Sequence, residues 1–149
     1  MTPATAENQR WMAALASAGE AALAEAWGRL DPTPAYQLLR PVEIGMAMLR
    51  GRIGGSGAPF NLGEATMTRA AVALPTGERG FAYLLGRRPR EAEIAAAFHA
   101  LLQRPEHRAA IETLVVRPAE TARARREAAE RATAATTRVD FSALVRGDG

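Results

Sequence analysis

The chain has 149 residues, contains no cysteine and carries a formal net charge of +3. One domain with its own core is therefore expected, without disulfides or a thiolate-bound iron–sulfur cluster. All 19 basic side chains are arginines, so the isoelectric point of about 10.5 reflects the use of arginine instead of lysine more than a strong positive field. The few aromatic residues lie among apolar neighbours, which disfavours nucleic-acid binding.

Two kinds of targeting segment are not predicted. No stretch approaches the roughly 20 apolar residues that span a bilayer, and residues 1–7 lack a basic region followed by an apolar one. We therefore expect a cytoplasmic protein that does not bind membranes. The hydrophobic fraction of 48% is inflated by alanine, so we expect a modest core that a partner surface completes.

Two short helices are predicted at the start of the chain. Large apolar residues recur at helical spacing across residues 7–30, and Gly19 interrupts the pattern. Trp11 and Trp27 fall on the apolar face, which favours a role as anchors of the core or of an interface. Residues 31–34, with the sequence Asp-Pro-Thr-Pro, then predict a turn into a sheet.

Four strands with short connections predict an antiparallel meander. The first candidate, residues 36–44, contains Pro41, which places it at a sheet edge or breaks it. Alternating patterns predict the next two strands on either side of a glycine-rich loop. A turn at residues 75–78 precedes a fourth strand from Gly80 to Leu85.

The loop between the second and third strands reads Arg-Ile-Gly-Gly-Ser-Gly from residue 52 and is a candidate anion site. Glycine permits positive φ and the close approach of a ligand, and successive N–H groups can form a concave anion site. Arginines at the rims could supply paired donors to phosphate or phosphonate oxygens. The residues predicted for this site are Arg52, Gly54, Gly55, Gly57, Thr66, Thr68 and Arg69.

Strand alternation leaves the composition of the anion site open. Thr66 and Thr68 share a face, whereas Arg69 points to the opposite face unless a bulge intervenes. Arg52 meets Arg69 only if the register brings them together. The alternatives are a flexible hairpin with solvated arginines, and an ion pair between Arg69 and an acid such as Glu43.

Helices are predicted after the sheet. Pro89 suits a first helical turn, and an apolar stripe over residues 94–102 would lie on the sheet. A second short helix is expected over residues 106–116. His99 and His107 have no carboxylate cluster nearby, so no metal or catalytic site is predicted for them.

The last part of the chain differs in composition, which divides the sequence into an α+β domain, residues 1–117, and an interface-forming segment, residues 118–149. Residues 118–137 lack bulky apolar side chains, so a helix there should project from the domain. Residues 139–145 restore them, which favours docking in another chain over folding back onto the core. The residues predicted to bind the partner are Arg138, Asp140, Phe141, Arg146 and Asp148.

Three blocks of sequence, spread over nearly the whole chain, follow the order of a known family. The central block comprises Arg52, Gly54, Gly55, Gly57, Phe60, Glu64, Thr66, Thr68, Arg69 and Ala70. The outer blocks are Arg10-Trp11-Met12 with Leu15 and Ala16, and Arg138-Val139-Asp140-Phe141 with Val145-Arg146-Gly147-Asp148. Together they resemble the G subunit of the bacterial carbon–phosphorus lyase complex. Gly86-Arg87-Arg88 and His99 depart from the family pattern, so no family role is assigned there.

The resemblance implies a subunit of an assembly that processes alkylphosphonates. In that family the G, H and I subunits, helped by an ATP-binding-cassette-like L subunit, exchange the adenine of ATP for a phosphonate at ribose C1. Nucleosidase chemistry is attributed to the I subunit and carbon–phosphorus cleavage to the J subunit. The resemblance thus implies an accessory role for this chain, with the H, I, J and L subunits as partners, no catalytic residue and no cofactor of its own, while the complex uses ATP.

Two other functions compete with this interpretation. A stand-alone enzyme acting on a phosphorylated small molecule is disfavoured, because the sequence offers no cysteine nucleophile, no histidine with a placed carboxylate and no convincingly spaced pair of acids. The alternative is a self-associating module that binds a small anion or a nucleotide. Purified alone, the chain is expected to form dimers because its partner surfaces are uncovered.

Overall fold

The computed structural model describes the backbone of residues 5–52 and 57–147, and the side chains of those ranges as far as residue 135. It confirms an α+β fold in which helices pack on a four-stranded antiparallel sheet and a long helix ends the described chain. The elements are α1 (Thr5–Ser17), α2 (Glu20–Gly28), β1 (Gln37–Leu38), β2 (Glu43–Arg52), β3 (Pro59–Ala73), β4 (Arg79–Leu85), α3 (Pro89–Leu102), α4 (Pro105–Ile111), a π-helical turn (Glu112–Val116) and α5 (Arg117–Gly147).

Strand β3 is the centre of the sheet. Strand β4 pairs along one edge of β3, from Met67 to Ala73. Strands β1 and β2 follow one another along the other edge, and β1 pairs with β3 rather than with β2. The predicted meander, with each strand beside the next, is therefore wrong in this detail. Pro41 lacks an N–H group and interrupts the edge strand, which leaves only Gln37–Leu38 as β1.

Helix α3 forms the middle of the hydrophobic core. Nearly all of its residues from Glu91 to Leu102 are buried, and five of the buried ones are alanines, whose small side chains let the helix lie close to the sheet. At Gly80 of β4 an added Cβ would stand 1.9 Å from the carbonyl oxygen of Ala96. The high alanine content therefore serves a close contact between helix and sheet.

The two N-terminal helices form as predicted and cover the other side of α3. Gly19 separates them with φ at +89°, a conformation that glycine adopts without strain. Trp11 is fully buried, and the ring of Trp27 lies edge-on to the rings of Tyr36, at 5.6 Å, and Phe98, at 5.2 Å. Of the two anchors predicted for the core or an interface, Trp11 lies within the core and Trp27 packs against it, partly buried.

The C-terminal helices are continuous, which differs from the two separate helices predicted over residues 106–116 and 118–137. Helix α4 passes through the π-helical turn directly into α5. Pro118 lies at the start of α5, where a proline leaves one carbonyl of the preceding turn without a donor, and the wider π-helical turn occurs next to it. Residues 121–135 are all exposed, as expected for a helix with little to bury. No helix within the described ranges is long and apolar enough to cross a bilayer.

Candidate partner-binding surface

A two-stranded ribbon extends from the sheet and forms its most exposed part. Pairing of β3 with β4 ends at Met67, opposite Leu85, and the N–H of Gly86 donates to the carbonyl oxygen of Thr66 at 2.7 Å. Beyond this point β3 pairs only with β2. We call residues 45–52 and 59–66 the hairpin arm. At about 3.4 Å per residue it is about 25 Å long.

Large apolar side chains are exposed along the sheet. Met46 is 62% exposed, Leu62 61% and Met48 55%. Among the described side chains, every exposed large hydrophobic residue lies on a strand or next to one: Leu38, Leu39, Ile44, Met46, Met48, Leu49, Phe60, Leu62, Tyr83 and Leu85. Because soluble monomers rarely expose contiguous apolar patches above a few hundred Å², this surface is typical of a protein interface.

Both faces of the hairpin arm are apolar. On the face that continues the helix-covered side of the sheet, Met46 lies opposite Thr66 and Met48 opposite Glu64. On the other face, the side chain of Leu62 covers Gly51, where an added Cβ would lie 3.0 Å from the Leu62 Cδ1 atom. A strand that is buried on one face alternates apolar and polar residues, and the arm does not.

A β-bulge interrupts the arm near its middle. The register of β2 against β3 shifts between Leu49, which pairs with Gly63, and Arg50, which pairs with Asn61. Leu62 is the extra residue, and Gly63 has φ at +139°, a conformation that favours glycine. Bulges bend and twist a strand locally, so the tip of the arm is turned relative to its base.

The residues predicted for the anion site are spread along this hairpin. Arg52 lies at the tip, opposite Pro59, whereas Arg69 lies at the base, opposite Glu43. Along β2 the two positions are nine residue steps apart, a span of about 30 Å. Arg52 donates from Nη1 to the carbonyl oxygen of Gly57 at 3.4 Å, and Arg69 forms an ion pair with Glu43. The described chain therefore does not bring the two arginines together. Gly54 and Gly55 lie outside the described residues.

The two threonines predicted for the site differ in their surroundings. Thr68 is fully buried, and its hydroxyl donates to the carbonyl oxygen of Gly86 at 2.6 Å and accepts from the N–H of Arg88 at 2.9 Å. It thus fixes the connection from β4 to α3. Thr66 is half-buried, and the closest polar partner of its hydroxyl is the sulfur of Met46, at 3.9 Å.

Comparison with known proteins identifies the family. The family model described as phosphonate metabolism protein PhnG matches residues 6–147. The chain belongs to the PhnG family. A relative from Rhizobium meliloti (strain 1021), described as alpha-D-ribose 1-methylphosphonate 5-triphosphate synthase subunit PhnG, is 45% identical over 146 residues, which cover 96% of this chain and 91% of the relative. The family resemblance drawn from the three sequence blocks is confirmed.

The C-terminal block of this PhnG-family chain lies on α5. The backbone of Arg138, Asp140, Phe141 and Arg146 continues that helix, so residues 139–145 form no separate extended tail. Their side chains and the whole of Asp148 lie outside the described residues. Docking of these residues on a partner stays a prediction, as does the division of the chain at residue 117.

The first block of the PhnG-family chain contributes to a polar network that the sequence did not predict. The carboxylate of Glu112 accepts from Trp11 Nε1 at 2.8 Å and from two nitrogens of Arg10 at 2.9 and 3.0 Å. Arg10 also donates to Glu120. The guanidinium of Arg108 lies over the Trp11 ring, 5.3 Å from its centroid. The sequence places Glu112 within a helix, and nothing in its spacing reveals that the π-helical turn directs it inward.

Charge pairing decides the ionisation of Glu112. Burial acts to raise the pKa of this carboxyl, but the hydrogen bonds from Arg10 and Trp11 outweigh burial and hold the pKa below its ordinary value. The hydrogen bonds that Arg10 donates, first that to Glu120 and then those to Glu112, raise the pKa of Arg10. Arg10 and Glu112 are therefore both charged at neutral pH, and the network clamps α1 against the π-helical turn and α5.

The imidazole of His99 links neighbouring elements of the fold by hydrogen bonds. Its Nδ1 accepts from the N–H of Phe81 at 2.8 Å, which leaves the proton on Nε2 to be donated to Asn8 Oδ1. Burial lowers the pKa of His99 to about 4, so the ring is neutral at physiological pH. Tyr36 is a half-buried donor, and burial and its bond to Glu93 Oε1, at 2.8 Å, raise its pKa to about 12.

Proposed function

We propose that the chain is a non-catalytic subunit of an assembly that makes alpha-D-ribose 1-methylphosphonate 5-triphosphate, the compound in the printed name of the Rhizobium meliloti relative. In the proposed reaction methylphosphonate displaces the adenine of ATP. The C1′–N9 glycosidic bond breaks, a bond from C1 to a phosphonate oxygen forms, and adenine leaves with a proton. The chain supports this exchange by holding other subunits in place.

One observation carries the accessory role: the large exposed apolar residues are concentrated on the sheet and the hairpin arm. Exposed apolar patches and strand edges of this kind mark sites where another polypeptide binds. The buried ionisable groups support the same role, because Glu91, His99 and Glu112 each bond to a neighbouring part of the fold. Within the described residues no three histidines or acids lie close enough to hold a metal ion.

The proposed partners are the H, I, J and L subunits of the carbon–phosphorus lyase assembly, acting in the cytoplasm. ATP is then a substrate of the assembly and not a cofactor of this chain. The relative's description as a subunit supports the existence of partner chains. The assignment of the chemistry to the I and J subunits follows from the family resemblance.

Co-expression tests the proposal. A tagged full-length chain is expressed with the H, I and J subunits of the same organism, and the purified material is assayed for adenine release from ATP plus methylphosphonate with the L subunit present. We expect a stable complex, activity only in the complex and none from the isolated chain. Turnover by the chain alone would refute the accessory role.

A truncation tests the predicted C-terminal interface in the same assay. A chain that ends at Thr137 lacks the side chains predicted to dock, Arg138, Asp140, Phe141, Arg146 and Asp148. We expect it to lose the other subunits while keeping the thermal stability of the domain, because residues 121–135 before it are already exposed. Full retention of the complex would remove this segment from the interface.

A second candidate function is anion binding at the tip of the hairpin arm. Arg52 is favoured because, among the described residues, it bonds to a carbonyl oxygen at 3.4 Å and to no carboxylate, so its guanidinium is available to an anion. Calorimetric titration with ATP and with methylphosphonate, on the isolated chain and on the complex, tests this. We expect Arg52→Ala to weaken binding and Arg69→Ala, whose partner is Glu43, to leave it unchanged.

A further inference from the structure

The outer edge of β3 in the hairpin arm has no strand beside it in the described chain. Strand β4 covers this edge only as far as Met67, and the last bond across it is from the N–H of Gly86 to the carbonyl of Thr66. Backbone groups of alternate residues in an antiparallel strand point to the same edge. The N–H and C=O of Glu64, two residues on, therefore point to the uncovered edge.

An uncovered strand edge next to apolar faces indicates the conformation and the side-chain chemistry of the segment that would bind there. Proteins protect exposed edges by keeping them short, by charged side chains or by covering them. Residues 59–64 of β3 are all exposed, and the single carboxylate among them is that of Glu64. The edge offers unpaired main-chain groups, and the faces offer Met46, Met48 and Leu62. An extended apolar segment that adds as a further strand satisfies both.

The charges of the arm indicate the rest of the partner's chemistry. Arg50 shares a face with Met46 and Met48 by strand alternation, and Arg52 follows at the tip. Neither contacts a carboxylate within the described residues. Opposite charges across an interface steer association and fix register. A strand that carries an acidic side chain beside its apolar residues complements this pattern.

The bulge disfavours a second copy of the chain as the occupant. Leu62 lies near the middle of the uncovered edge, so a two-fold pairing of this edge with itself would place two bulges opposite one another and interrupt both ladders at one point. A regular strand from a different subunit meets only one bulge.

We infer that the uncovered edge of β3, residues 59–66, is a docking site for an apolar, acid-bearing β-strand of another subunit of the same assembly. The inference rests on the proposed function for the existence of that subunit. The new strand continues the sheet from the end of β4, and its apolar side chains cover Met46 and Met48 on one face and Leu62 on the other.

A matched pair of variants tests the edge. Glu64→Pro removes the N–H that points to the uncovered edge and leaves the ladder with β2 unchanged, whereas Glu64→Ala keeps that N–H and removes only the carboxylate. Each tagged variant is co-expressed with the H, I and J subunits, and the retained subunits are quantified. We expect Glu64→Pro to retain at least ten-fold less than wild type, and Glu64→Ala to retain wild-type amounts. Equal retention by the two variants would overturn the inference.

Hydrogen exchange supplies a measurement that needs no variant, in case Glu64→Pro does not fold. The Glu64 amide of the wild-type chain is expected to exchange at least ten-fold more slowly in the complex than in the isolated chain. Equal rates would refute strand addition. Slow exchange in the isolated chain that disappears on dilution, with a dimer by light scattering, would instead assign the edge to a second copy. Failure of wild type to retain any subunit would count against the proposed function itself.

Discussion

Replacement of Glu112 by alanine is expected to destabilise the fold by about 3 kcal/mol. The substitution leaves the fully buried Trp11 Nε1–H without its acceptor at 2.8 Å, which costs about 1–3 kcal/mol. It also removes two bonds from Arg10, whose side chain is 40% exposed and stays bonded to Glu120. Solvent screening limits that second loss to about 1 kcal/mol.

Urea denaturation of the isolated chain measures this effect, with thermal unfolding as a check. For a chain of this length about 3 kcal/mol corresponds to a fall of about 6–12 °C in melting temperature. Glu112→Gln keeps an oxygen for Trp11 and is expected to lose less than half as much, and Glu120→Ala, at the exposed end of the network, about 0.5 kcal/mol. If Glu112→Ala and Glu112→Gln unfold at the same urea concentration, the bond to Trp11 contributes nothing and the reasoning is wrong.

Three further predictions concern the interior. The pKa of His99 is about 4 in the folded chain, against an ordinary value of 6.5. The buried neutral ring therefore contributes stability above pH 6.5, and this contribution is lost as the pH falls towards 4. We expect His99→Gln to reduce the difference in the free energy of unfolding between pH 7 and pH 4.5, measured in urea, by about 2 kcal/mol. Gly80→Ala places a methyl group 1.9 Å from the Ala96 carbonyl oxygen and should cost about 3 kcal/mol in the same assay, whereas a substitution at the uncrowded Gly45 should cost under about 1 kcal/mol. Thr68→Val leaves the Gly86 carbonyl and the Arg88 N–H unpaired and should cost about 2 kcal/mol or more, while Thr68→Ser keeps both bonds and costs about 1 kcal/mol. An unchanged unfolding midpoint of Gly80→Ala or Thr68→Val would contradict the contact assigned to that residue, and an unchanged pH dependence of stability in His99→Gln would contradict the burial assigned to the ring.

The sequence predicts local structure well wherever a single short-range rule acts. Gly19 separates two helices, Pro89 begins α3 and the turn before Gly80 ends β3, because backbone conformation at these points depends on the residue itself. The strand pairing is harder to predict, since the position of β1 beside β3 rather than beside β2 depends on contacts between residues far apart in the sequence.

The site residues show the same division between short-range and long-range effects. The ion pair of Arg69 with Glu43 follows from register, which no local pattern determines. Arg52 and Arg69 are close in a motif but at opposite ends of a hairpin. Glu112 reaches Trp11 across 101 residues of sequence and could not be found from spacing. The sequence thus indicates which residue types are present, and the fold decides which of them meet.

In the hairpin arm, the sequence pattern predicts buried side chains, whereas the fold of the described chain leaves them exposed. Ile44, Met46 and Met48 occupy one face of β2 and Leu49 the other, a pattern typical of a strand that is covered on both faces. In the described chain these residues are exposed. Local preference and tertiary environment normally agree in a folded protein, and conflicts between them concentrate at functional sites. The arm therefore has the sequence pattern of a buried strand, which is the physical basis of the proposal that another polypeptide covers it.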